Sequence, residues 1–168
     1  MGAPRILTLE VLRDEQLPEL IRMWRASFED GVGIVDPHPL EEQENYFSSE
    51  VRPHHTVRVT MLGGSLVGFV AANAESVSQL YVRVGFLRQG IGSFMLNWAK
   101  KQSAGKLWLF TFERNRRACA FYEHHQFVAI ERGFEPCGGS GTLSTNGRAR
   151  SNMQRPTHPA SAHPRRHT

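Results

Sequence analysis

The 168-residue sequence predicts one α/β (mixed α+β) domain with a central mixed, mostly antiparallel sheet flanked by helices. Three patterns carry that expectation. Val57, Val59 and Met61 alternate with polar residues up to Gly63-Gly64, and an apolar run returns over residues 66–72, a hairpin signal. Three other stretches repeat apolar residues at helical spacing. A strand-like run at 77–84 leads through Gly90-Ile91-Gly92 straight into one of those helical stripes.

Taken in order, residues 6–12 read as the first strand. Asp14 is the expected N-cap of the following helix, and Pro18 falls early enough in it to be tolerated. Leu17, Leu20, Ile21, Trp24 and Phe28 form that helix's apolar stripe. Gly31, Gly33, Pro37 and Pro39 mark a loop, and residues 40–49 a second, more polar helix. Strands at 57–61, 66–72 and 77–84 follow, the last rich in β-branched and aromatic residues. Ile91, Phe94, Met95, Trp98 and Ala99 fall at i, i+3, i+4, i+7 and i+8, a single apolar face that Gly105 ends. Residues 106–112 carry large side chains on both sides and are expected to be a central strand covered on both faces. After Asn115, the residues Ala118, Phe121, Tyr122 and His125 mark a last helix, and 127–130 a last strand.

Composition narrows the function classes. No apolar run spans a bilayer, and residues 1–5 lack the apolar stretch of a secretory leader. Cys119 and Cys137 make neither a disulfide framework nor a metal spacing, so a reducing cytoplasm fits best. The His54-His55 and His124-His125 pairs point their rings apart on any regular element, so no metal site is expected and they read as solvated. The formal net charge is +4, yet residues 1–132 hold 15 basic and 15 acidic side chains. The excess sits in the C-terminal stretch, which has no base-stacking aromatics beyond Phe134. A nucleic-acid partner is therefore not expected.

Gly90 and Gly92 stand where a helix must start, and glycine there costs up to about 1 kcal/mol relative to alanine. A tight turn would explain them. So would an anion bound on bare N–H groups at a helix N-terminus, with Arg88 adding charge. The third glycine of a dinucleotide fingerprint is missing, since Met95 holds that place, and there is no Gly-Lys-Ser/Thr of a nucleotide loop.

Two stretches together, "LYVRVGFLRQGIGSFML" and "NRRACAFYEHHQF", resemble the GNAT superfamily of N-acetyltransferases. The first matches its Arg/Gln-x-x-Gly-x-Gly/Ala motif after a strand, and the second its Asn-x-x-Ala-x-x-Phe-Tyr motif. The element order over residues 6–132 agrees. The resemblance implies a GNAT-like acyltransferase fold and acetyl-CoA as co-substrate. It implies that Leu80, Tyr81 and Val82 end the strand that pairs with the pantetheine arm. Leu87, Arg88, Gln89, Gly90, Ile91, Gly92 and Ser93 would form the turn that cradles the pyrophosphate on backbone N–H groups. Asn115 would contact the cofactor, and Tyr122 would protonate the departing sulfur. The acceptor would be an amine of a small molecule or peptide, attacking the thioester directly. Self-association as a homodimer stays open. Two positions depart from the pattern. Leu87 replaces the first Arg/Gln, and Gln126 stands where a glycine often ends the Tyr helix, so Gln126 should adopt a strained left-handed conformation or a different turn. Glu29, Glu75 and Glu113 are placed to accept the amine's proton, but each also reads as a solvated carboxylate and none is singled out.

The expected domain spans residues 1–137. Residues 138–168 read as a disordered basic tail, because Leu143 and Met153 are their only large apolar residues. The resembled family usually has another strand there, between the last two strands assigned above. This ending therefore reads as altered on an otherwise standard body.

Overall fold

The computed structural model of the chain describes residues 5–134 and 149–154. Seven strands form one sheet: β1 (Leu7–Val11), β2 (Thr56–Leu62), β3 (Ser65–Ala72), β4 (Ser76–Val82), β5 (Trp108–Phe112), β6 (Val128–Phe134) and β7 (Ala149–Gln154). Their spatial order is β1-β2-β3-β4-β5-β7-β6. Every neighbouring pair is antiparallel except β4 and β5. The helices are α1 (Leu17–Val32), α2 (Leu40–Tyr46), α3 (Ile91–Gln102) and α4 (Arg116–His124).

Most elements lie where the sequence places them, and the departures have local causes. Asp14 is not a helix N-cap. It opens a 3-10 turn, Asp14–Gln16, whose Gln16 side chain accepts from the Arg13 N–H at 3.0 Å before α1 begins at Leu17. The second helix runs on from α2 as a wide π turn, Phe47–Val51. Of the 138–168 segment, the described part is Ala149–Gln154, which pairs as β7 between β5 and β6. The remainder, like residues 135–137 at the expected domain end, lies outside the described residues.

Two cores sit on opposite faces of the sheet. The α1–α2 face is aromatic: Trp24 lies 5.7 Å from Phe69, 6.3 Å from Phe47 and 6.1 Å from Tyr81, ring centre to ring centre. The α3–α4 face is largely aliphatic, with Ile91, Met95, Leu96, Leu107 and Leu109 fully or nearly fully buried. Each such side chain contributes roughly 1.5–3 kcal/mol by leaving water. The expectation that residues 106–112 are covered on both faces does not hold. Leu109 and Thr111 face the core, while Trp108 and Phe110 are 39 % and 51 % exposed on the other face. The reason is reach: helix α1 packs on the β3 and β4 side of that face.

Candidate functional site

Strands β4 and β5 stay in register only at Ser76–Trp108 and Val77–Leu109. One residue later β4 bulges. Ala71 pairs with Gln79 and Ala72 with Val77, so Ser78 is the extra residue. Beyond the bulge the two strands part, and a cavity of about 330 Å³ fills the gap. Its walls come from both faces, with Trp24, Phe28 and Tyr46 on one side and Ala118 and Tyr122 on the other. The Arg83 N–H donates to the Val67 carbonyl, which fixes the alternation of β4. Tyr81 thus pairs toward β3, and the backbone groups of Leu80 and Val82 turn toward the gap. Ser27 on α1, which sequence reasoning did not single out, donates its hydroxyl to the Val82 carbonyl at 2.8 Å. Among the described residues, the Leu80 N–H and carbonyl and the Val82 N–H remain as an unpaired strand edge. Tyr81 meets the cavity with its ring instead. Burial pushes its hydroxyl up to about 12, partly opposed by a hydrogen bond from Trp24.

Past β4 the chain turns through residues 85–90 into α3. The first helical bond runs from the Phe94 N–H to the Gly90 carbonyl at 3.0 Å. The N–H groups of Ile91, Gly92 and Ser93 precede it and have no acceptor inside the helix. The two glycines serve different ends. Gly90 has φ +80° and a Cβ there would meet open space, so its backbone conformation and its bare outer surface are what glycine supplies. Gly92 has an ordinary backbone, but a Cβ would lie 3.1 Å from the Phe121 ring, so this glycine lets α4 approach α3. Arg88 (φ +60°) and Gln89 are exposed at the turn, Leu87 is half-buried, and the Ile91 side chain is core. The Ser93 hydroxyl lies 2.9 Å from His125 Nε2. Burial first, then Lys100 and His124, hold His125 below the usual imidazole value.

Asn115 caps α4, its Oδ1 accepting from the Ala118 N–H at 3.1 Å, while its side-chain nitrogen packs against Gly31 of α1. It also lines the cavity. Tyr122 is 7 % exposed and opens on the same cavity. Its ring packs on Phe121 and Phe127, and its hydroxyl has no hydrogen-bond partner among the described residues. Burial, reinforced by Tyr81 and Cys119, raises its pKa, so the group is a phenol that can donate. The end of α4 meets the sequence expectation for Gln126, which has φ +69°. Phe127 N–H to Tyr122 carbonyl and Gln126 N–H to Glu123 carbonyl, both 3.0 Å, make a Schellman ending, and the Tyr122–Phe127 contact completes it.

The α1–α2 wall holds polar groups the sequence did not mark. Buried Asp36 accepts from the His38 backbone N–H at 3.0 Å and meets His38 Nδ1 at 2.7 Å. Arg25 donates to Gln43 at 2.8 Å. His55 stands half-buried on the cavity wall, with Nδ1 3.0 Å from the Val51 carbonyl. No motif surrounds any of them, and only the fold brings Asp36, Gln43 and His55 to the gap. Among the described residues no helix is long and apolar enough to cross a membrane.

A family model described as the acetyltransferase (GNAT) family matches residues 17–127. The fold is similar to that of apo YjaB from Escherichia coli, at TM-score 0.70 and 18 % identity over 89 % of this chain and 97 % of that one. It is similar to the ribosomal-protein-S18-alanine N-acetyltransferase of Escherichia coli, at 0.67 and 18 % over 94 % and 97 %. It is also similar to yncA of Salmonella typhimurium with its cofactor acetyl-CoA, at 0.63 and 10 % over 93 % and 96 %. No curated protein matches the sequence.

Proposed function

Because the chain belongs to the acetyltransferase (GNAT) family, we propose that it transfers the acetyl group of acetyl-CoA to a primary amine by direct attack on the thioester. The observation that carries this reading is the cavity itself. It joins the Leu80 and Val82 edge of β4, which no described strand pairs, to the side chain of Tyr122. The N-terminus of α3 lies just past that edge along the chain.

The residues present fit the co-substrate. An extended amide chain can add to the β4 edge as a further strand would, through the Leu80 and Val82 groups that β5 leaves free. The Ile91, Gly92 and Ser93 N–H groups and the dipole of α3 suit a pyrophosphate, and Gly90 presents no side chain to it. Acetyl-CoA, when bound, supplies the activated acyl group. Asn115 contributes by fixing the start of α4 and hence the position of Tyr122. The Tyr122 hydroxyl donates its proton to the sulfur as the C–S bond breaks. The protein holds the amine from the aromatic side, where Trp24, Phe28 and Tyr46 exclude water.

A screen of amines with acetyl-CoA, read by thiol release, tests the reading. Release that needs both an amine and the intact Tyr122 supports it. Binding of CoA without release from any amine would make the chain a CoA-binding protein instead.

A further inference from the structure

We propose that His55 is the general base that takes the proton of the acceptor amine. The proposal rests on the acetyl-transfer reading above. Direct attack needs a neutral nitrogen and a group to receive its proton, and that group must reach the reaction space. The titratable groups on the cavity wall are Asp36, His55, Tyr46, Tyr81 and Tyr122. Glu29, Glu75 and Glu113 are not on it. Glu29 instead accepts the Asp36 N–H at 2.9 Å.

Of the wall groups, the tyrosines hold their protons too firmly to start as bases at neutral pH. Asp36 is already engaged. Its Oδ1 serves the His38 backbone N–H and ring Nδ1, and its Oδ2 faces Arg25 at 3.8 Å. His55 differs. A carbonyl oxygen only accepts, so the 3.0 Å contact with Val51 places a hydrogen on Nδ1. The neutral ring then carries its lone pair on Nε2. His54, the neighbouring residue, turns its ring to the Glu50 carbonyl at 2.8 Å and stays exposed. The pair lies in the turn before β2, where the two rings face different carbonyls, and His55 is the one that lines the cavity.

The proton balance closes on named groups. As the new C–N bond forms, the nitrogen's proton passes to His55 Nε2, directly or through one water. As the C–S bond breaks, the sulfur leaves with the Tyr122 proton. The imidazolium and the phenolate return to their starting states by exchange with water, so the net products are the amide and the free thiol.

Two variants test the assignment in the full chain, with an amine that the wild type acetylates. His55→Asn keeps a donor toward the Val51 carbonyl and removes Nε2. His55→Gln keeps a polar atom near Nε2 that cannot take a proton. Both should lose roughly 10²–10⁴-fold in kcat/KM at neutral pH. Both should retain the wild-type CoA-induced thermal shift. The pH dependence of kcat/KM should differ between the wild type and both variants. Added imidazole should restore part of the rate. Folded variants with unchanged kcat/KM and an unchanged pH profile would overturn the assignment and leave the transfer reading intact. A wild type that binds CoA but turns over no amine would overturn both.

Discussion

The two faces of the sheet meet at the same cavity but are built on different principles. On the α3–α4 face the site depends on backbone: an unpaired strand edge, orphan N–H groups and two left-handed turns. On the α1–α2 face it depends on side chains: an aromatic wall with His55, Asp36 and Gln43 set among it. Backbone demands restrict which residues are allowed, so they leave a motif. Side-chain walls can be assembled from many positions, so they leave none. The difference implies that changes on the first face should act on CoA binding and folding, and changes at the cavity wall on turnover.

The largest expected effect lies where the faces meet. Tyr122→Phe keeps the ring against Phe121 and Phe127 and removes only the hydroxyl. It should lower kcat by about 10²–10⁴-fold, with CoA affinity nearly unchanged. Stopped-flow thiol release with chemistry rate-limiting checks this, and an unaltered kcat would reduce Tyr122 to core packing.

Next is Gly90→Glu, which sets a carboxylate on the bare surface of the turn and demands φ +80° of a residue with a Cβ. Wild type at a hundredfold the CoA dissociation constant should gain about 2.7 kcal/mol of stability. The variant should gain almost none in the same thermal-shift titration. Equal gains would separate the turn from the cofactor.

Gly92→Ala sharpens the contrast between neighbouring glycines. The added Cβ meets the Phe121 ring at 3.1 Å, so overpacking should cost about 1–3 kcal/mol of folding stability. Denaturant unfolding reads this directly, and an unchanged midpoint would show that α4 yields. CoA affinity of the folded fraction should change far less than in Gly90→Glu.

The smallest effect has the opposite sign. Gln126 pays for a left-handed backbone at the end of α4, where glycine carries no such strain. Gln126→Gly should stabilise the fold by up to about 1 kcal/mol, less the entropy glycine adds to the unfolded chain. A melting temperature that falls would mean the glutamine side chain contributes a contact that outweighs the strain.

These residues also show what a sequence can disclose. The Gly90–Gly92 turn and the Gln126 departure were legible because left-handed and orphan-donor positions narrow the residue choice. The helices were legible from their stripes. The open face of β5 was not, because whether Trp108 and Phe110 are covered depends on how far α1 and α2 reach. The roles of Ser27 and His55 were not legible either. Ser27 lies 55 residues before the carbonyl it serves. His55 read as solvated because adjacent rings diverge on a strand or a helix, and only the fold shows that one of them lines a cavity. The stretch that pairs as β7 reads as a poor strand in a place where the resembled family has one, since few of its residues favour strands. Its place is set by the gap between β5 and β6.

If the gap between β4 and β5 receives CoA along the β4 edge, with its phosphates on the α3 N-terminus, backbone amide chemical shifts should record it while CoA is titrated into the full chain. The largest changes should fall at the Leu80, Val82, Ile91, Gly92 and Ser93 amides, at one shared affinity. Saturable binding that leaves those five amides unmoved and shifts another region would contradict that placement.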